Sequence, residues 1–226
     1  DGNTFKTVRR ILEKECGYSF YSDVFNTANF GLPQDRRRVY MLAIKKGTNK
    51  NFEFTQEGVL QEFQNIKKEN SLHKYKTTKS LLSKKVDEKY YLSEKIKKTI
   101  LSSGTGGFYA KPEINKATAR TLTATMLKMH RAGQDNYFSD EYIDSTIKEA
   151  KKYENFVVPE NKYSKYNIRK ITPFEGLLLQ GFDKSFYKSA KESQVSDTQL
   201  YKQIGNAVSV NVVYAIFNFL NSQKII

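Results

Sequence analysis

The chain has 226 residues, 38% of them hydrophobic, with 15 Tyr and 15 Phe: enough for one large or two modest folded domains, and too much for wholesale disorder. Its 38 Lys and Arg against 24 Asp and Glu leave a formal net charge of +14, which implies a polyanionic partner, nucleic acid first, with simple lysine-rich drift as the alternative. One cysteine (Cys16) and two histidines (His73 and His130) exclude a disulfide framework and a multi-cysteine zinc site and make a metal centre improbable, while no apolar run of membrane-spanning length and no signal sequence is read, so a cytoplasmic protein with no membrane partner is expected.

Residues 4–16 read as an amphipathic helix, with Thr4 as cap, Phe5, Val8, Leu12 and Cys16 at helical spacing, and Gly17 as its end. Cys16 is thereby assigned to the core. YSFYSDVFN reads as a strand, NFGLPQD as a loop and VYMLAIK as a buried strand. Residues 47–80 are polar and lysine-rich without a strong period. YYLSEKIKKTIL then reads as a short helix capped by Ser93. Most lysines between 61 and 100 belong to a solvated face, though collectively they can help hold a phosphate backbone.

The next stretch, SSGTGGFYAKPEINKATARTLTATMLKMHRAGQDNYF, mixes Gly-rich turns with the strand-like alternation ARTLTATM. Its GTGG lacks the Lys-Ser/Thr that a nucleotide-binding P-loop needs. SDEYIDSTIKEAKKYE reads as one helix with acids first and lysines last, matching the helix dipole. In ITPFEGLLLQGF, Thr172 caps, Pro173 takes the first turn, Glu175 completes a capping box and Gly181 ends the helix. The last helix is expected after Gly205-Asn206, with Asn206 as cap and Val208, Val212, Ile216, Phe219 and Leu220 as its apolar stripe.

Three segments, in this order, resemble the C-terminal part of the DNA cytosine-5 methyltransferases. NTANFGLPQDRRRVYMLAI matches the family's Q-x-R-x-R motif through Gln34, Arg36 and Arg38. IRKITPFEGLLLQGF is similar to the segment that packs the target-recognition domain, and QLYKQIGNAVSVNV to the final motif, ending in Gly205-Asn206. The chain departs from the family pattern at Phe174 and Leu178, where arginine is usual, and at Asp183, where proline is usual. The family's Gly-rich cofactor loop, Pro-Cys nucleophile segment and Glu-Asn-Val segment lie upstream of such motifs and are not in this sequence. The resemblance therefore implies the C-terminal half of an enzyme, cut from a longer chain or split into subunits.

In that family a cysteine thiolate attacks C6 of a cytosine extruded from the duplex, and C5 takes the methyl group of S-adenosylmethionine. By resemblance, Arg38 contacts the cytosine, Arg36 serves phosphate or scaffolding, and Gln34 orients the loop. A plain turn residue is the alternative for Gln34. Arg37, on the alternate face, is a solvated or phosphate-contacting charge. Asn206 lies beside the methionine end of the cofactor or merely caps a helix, and Ala207 offers backbone there. The variable region reads DNA, with Arg120, Thr121, Thr123, His130, Arg131, Gln134 and Asn136 as candidates. Thr121 and Thr123 rank first, because ARTLTA resembles the Thr-Leu-Thr/Ser element of such regions.

The architecture implied is α/β: residues 1–48 as the last strands of a Rossmann-like catalytic domain, 49–190 as a smaller mixed α+β target-recognition domain, and 191–226 returning to the catalytic domain. The implied partners are double-stranded DNA and the N-terminal half of the methyltransferase. A non-catalytic DNA-binding or regulatory subunit and a tRNA cytosine-5 methyltransferase are the alternatives.

Overall fold

Helix α1 (Asn3–Arg10) opens the chain and runs into a wider π-type turn, Ile11–Glu15, which stops at Gly17 with φ +72°. The computed structural model of the protein describes residues 2–47, 53–65, 72, 74–104, 107 and 109–226, so His73 and part of the Gly-rich stretch lie outside the described residues. Gly2, not Thr4, holds the cap position, and α1 buries none of its residues. Cys16 is exposed, against the core role expected of it. The cause is the π turn: Cys16 N–H bonds the carbonyl of Ile11, five residues back, and that extra residue rotates Cys16 off the apolar face.

Strand β1 (Tyr18–Asn26) turns through Thr27–Phe30, and the chain continues as β2 (Gln34–Asp35) and β3 (Arg37–Lys45). β1 and β3 pair antiparallel from Tyr18 opposite Lys45 to Asn26 opposite Arg37. The two-residue period puts Tyr21, Phe25, Tyr40 and Leu42 on one face, which packs against helices α2 (Gln56–Asn65) and α9 (Val210–Ser222). The other face carries Val24, Val39 and Met41, the last two 50% and 52% exposed. β3 was expected to be buried; only one side of its hairpin is covered, so alternate residues stay open.

Helix α2 falls where no period was read. Val59 and Phe63, one turn apart, suffice to bury its inner edge. With Phe25, Phe30 and Phe54 they pack against Val212, Ala215, Ile216, Phe219 and Leu220 of α9, a core that draws residues from both sides of the boundary expected at residue 49. α9 begins at Val210, after Ser209. Asn206 instead ends the preceding helix α8 (Asp197–Asn206), so it caps nothing, and Val208 in the bend between them is 57% exposed. By length and composition alone the stretch 197–222 is apolar enough to cross a membrane, contrary to the reading above. The bend at 207–209 divides it, and both helices turn one face into the core.

Between these parts lie α3 (Glu94–Ile100), β4 (Ala119–Arg120), β5 (Tyr137–Ser139), α4 (Asp140–Asp144), α5 (Ile147–Ala150), β6 (Ile168–Lys170), α6 (Pro173–Leu179) and α7 (Lys184–Glu192). β5 pairs antiparallel with β6, and β4 pairs parallel with β2, Gln34 opposite Ala119. The mixed α/β fold matches the expected class. Ser93 precedes α3 but makes no side-chain cap bond. Lys97, counted with the solvated lysines, is buried, its ammonium donating to Glu94 and to the Tyr166 carbonyl. The single helix expected over 139–154 is two: Ser145-Thr146 breaks it, and Thr146 forms a capping box with Glu149, as short hydroxyl residues favour caps over helix interiors. One apolar cluster gathers Leu122, Met126, Phe138 and Tyr142 around α6 and α8, and another gathers Ile100, Ile114, Tyr137 and Ile168.

The capping box at Thr172 and Glu175 is present. Glu175 does more than cap. Its carboxylate accepts two bonds from the Arg169 guanidinium, 2.7 and 2.9 Å, and one from Ser83 N–H, with both ionic side chains fully buried. Arg169 also donates to the carbonyls of Ser83 and Lys170. Replacing Arg169 by Met leaves a buried carboxylate without its cation, and urea unfolding should show a loss of about 3–5 kcal/mol. Asp197 provides a milder, pH-dependent contribution. Burial acts to raise its pKa, but hydrogen bonds from Lys191, Tyr90 and Lys89 outweigh this and hold it well below the usual carboxylate range. Its stabilisation is therefore present above the unfolded-state pKa of about 4 and lost as pH falls below it. Asp197→Asn should flatten that acid limb in melts between pH 2 and 6.

Candidate functional site

The segment GLPQDRRR enters the molecule's centre because Gly31, at φ +80°, turns the chain after Phe30 and Pro33 accepts a bond from Ala119 N–H. β2 then lies beside β4, and Gln34 in it and Arg36 just after it are both buried. Gln34 is fully buried: its amide oxygen accepts from Leu122 N–H at 3.1 Å, and its amide nitrogen donates to the carbonyl of Leu179 at 2.9 Å. Arg36 is 4% exposed. It donates to the carbonyls of Leu122 (2.9 Å), Gly205 (3.1 Å) and Ala207 (2.8 Å). Both backbone polar groups of Leu122 are thus held by side chains two residues apart in the sequence.

No carboxylate pairs with Arg36 among the described residues. Two of its three partners are carbonyls at the C-terminal end of α8, where the helix dipole favours a cation. Burial, and then the nearby Arg38, push its pKa down to about 10, which still leaves it charged at neutral pH. Gln180, fully buried at the end of α6, donates from its side chain to Ile204 O at 2.8 Å, so three carbonyls at this helix end receive side-chain donors from outside the helix. Gly205 completes the contact. A Cβ there would stand 2.1 Å from the Thr123 carbonyl carbon and the Ala124 nitrogen, so the helix end rests directly on that peptide.

An exposed rim surrounds this buried knot. Arg38 is exposed and donates to the Arg37 carbonyl; Thr123 is exposed, and Thr121 is half-buried with its hydroxyl on Asp35 O. Thr125, beside Thr123, meets the ring of His130 at 3.1 Å. Asn206, next to Gly205 in the chain, is exposed. The structure therefore brings Gln34, Arg36, Thr121, Thr123 and Asn206 to one place. Arg37 and Arg120 meet elsewhere, with Lys116 and Asp35, around an open cavity of about 440 Å³ on the other side of β2 and β4.

Two candidates have their groups engaged within the protein. Ala207 does not offer open backbone, since its N–H bonds Gln203 O and its carbonyl receives Arg36. Asn136 is buried and bonds both backbone groups of Arg120, so its amide is turned to the protein and away from the surface where a base would lie. Arg36 acts on protein carbonyls, which fits the scaffolding half of its assignment. Among the remaining candidates, Arg131 donates to Ser102, His130 is pinned by Asp135 and Tyr137 through its backbone, and Gln134 is exposed. Gln180 was not singled out from the sequence. A lone amide inside LLLQGF, in an otherwise apolar helix end, was the available signal. No group of residues suited to a metal ion occurs among the described residues.

A sequence profile of C-5 cytosine-specific DNA methylases matches residues 1–222. The type II methyltransferase M1.ScrFI of Lactococcus lactis subsp. cremoris is 30% identical over 216 residues, and M.SsoII of Shigella sonnei is 32% identical over 217. Each alignment takes in 95% of this chain but 46% and 47% of the relative, so the chain spans about half the length of these curated relatives. Among solved structures, the S. pombe Dnmt2 methyltransferase superposes with a TM-score of 0.71 at 20% identity, covering 98% of this chain and 64% of that one. The Entamoeba histolytica methyltransferase EhMeth gives 0.65 at 19%, covering 98% and 59%. At such identities the likeness is one of fold.

The close approach at Gly205 is testable. Gly205→Ala should force the 123–124 peptide away and destabilise the protein by about 1–3 kcal/mol in urea unfolding, with no loss of helix content by circular dichroism.

Proposed function

The chain belongs to the family of C-5 cytosine-specific DNA methylases, and from that premise we propose that it is the target-recognition part and last catalytic-domain portion of a DNA cytosine-5 methyltransferase of a restriction-modification system. The observation that supports this most is the knot in which Gln34 and Arg36 hold Leu122 and the end of α8, which sets the exposed Thr123 against Gly205, beside the exposed Asn206, with Arg38 near Arg36. In this reading the hairpin, α2 and α9 join the catalytic domain, and the recognition domain lies between residues 74 and 190.

The extruded cytosine sits against Arg38, whose guanidinium donates to the base oxygen and stabilises charge gathering on the ring. Thr121 and Thr123 lie along the flipped nucleotide, and Arg37, Arg120, His130, Arg131 and Gln134 face flanking phosphates and bases. S-adenosylmethionine, when bound, supplies the methyl group. The exposed Asn206 amide fits a place beside its methionine end, whereas the engaged backbone of Ala207 does not. The upstream half of the enzyme brings the cysteine nucleophile, and this chain by itself binds DNA weakly and transfers no methyl group.

Incubation with duplex DNA and S-adenosylmethionine carrying a radioactive methyl group tests the reading. The isolated chain should label nothing, and addition of an upstream half with the Pro-Cys segment should restore labelling. Arg38→Ala in the reconstituted enzyme should lower kcat about 100-fold. Labelling by the isolated chain, or none after reconstitution, overturns the proposal; labelling of tRNA in place of DNA would reassign the substrate.

A further inference from the structure

Gln34, Arg36 and Gln180 form a closed circuit. Leu122 N–H bonds the Gln34 oxygen, and the Gln34 amide nitrogen reaches the Gln180 oxygen at 3.4 Å and the Leu179 carbonyl at 2.9 Å. The Gln180 nitrogen bonds Ile204 O, and Arg36 returns from Gly205 O and Ala207 O to Leu122 O. The Gln180 backbone carbonyl also accepts from Val210 N–H at 2.9 Å. Each amide has one workable orientation, because a flip would set a donor against Leu122 N–H or an oxygen against the Ile204 carbonyl. All three side chains are buried, so a shift of either the loop or the helix end alone strands polar groups away from water. The Gly205 backbone against the Thr123–Ala124 peptide leaves no slack between them.

We propose that Gln180 is a positioning residue which, with Gln34 and Arg36, makes the loop Thr121–Thr125 and the turn Ile204–Ala207 one mechanical body, so that DNA contact at the loop is transmitted to the turn. The joining of the two segments stands on the circuit itself; the transmission of DNA contact rests on the methyltransferase reading. Gln180 touches neither base nor cofactor, and acts through the two backbone segments that it fastens.

Hydrogen exchange read by mass spectrometry decides both parts. In the free protein, peptides covering 120–125 and 203–208 should open together. Gln180→Leu should raise exchange in both by about tenfold, while 94–101 in α3 keeps its protection and so reports an intact fold. Arg36→Lys serves as the second variant, since an ammonium cannot span three carbonyls as the guanidinium fork does; the same paired rise is expected. A rise confined to one segment in both variants overturns the single body. On addition of duplex DNA, the wild type should gain protection in both segments, and Gln180→Leu in 120–125 alone. Protection of 120–125 without 203–208 in the wild type overturns the transmission. Absence of any protection by DNA instead counts against the DNA reading, and the paired exchange in free protein still decides the coupling.

Discussion

A buried peptide group must find partners, and Leu122 has no neighbouring strand to supply them. β4 stops at Arg120, yet the chain continues inward, so the N–H and carbonyl of Leu122 are taken up by Gln34 and Arg36. That arrangement fixes the rest of the site. It sets Thr121 and Thr123 on either side of a clamped residue, and it gives the end of α8 a cation to lie against. It also accounts for the spacing of Gln34 and Arg36, because only alternate residues of β2 and its extension face the same peptide.

The run QDRRR thereby divides its charges by environment. Arg36 is enclosed and works on carbonyls. Arg37 faces outward beside Asp35, at 3.5 Å, a contact too exposed to stabilise much. Arg38 shares the side of Arg36 and Tyr40 but stands at the surface, where it adds to the positive field that lowers the pKa of Arg36. Three identical residues in a row serve as a helix-end cap, a solvated charge and an outward-facing donor. The difference lies in what each backbone position faces.

Much of the fold was legible in the residues. The two strands that pair as β1 and β3, the capping box at Thr172 and, Val208 excepted, the apolar stripe of α9 follow from local periodicity and cap chemistry, and the structure contains them. The failures share a cause. Cys16 left the core because of a π turn that composition does not announce, and α2 rests on two apolar residues that only the distant α9 makes sufficient. Asn206 and Asn136 are typical cap and reader residues by type; their surroundings, a helix end and the Arg120 backbone, decided otherwise. At the site, motif resemblance found Gln34, Arg36 and Asn206, but what they touch depended on Leu122, Gln180 and Gly205, residues whose chemistry is silent until they are brought together.

The sequence separations in the knot carry a consequence for how the molecule is made. Arg36 reaches 86 residues ahead to Leu122 and 169 to Gly205, and Gln34 reaches 145 to Leu179. Contacts so distant form after local helices and hairpins, since the entropy of closing the intervening chain must first be overcome. During synthesis the guanidinium of Arg36 therefore stays hydrated until α8 has left the ribosome, and the loop Thr121–Thr125 takes its final shape only after that helix has been made. A loop from the middle of the sequence is thus settled by a helix made well after it.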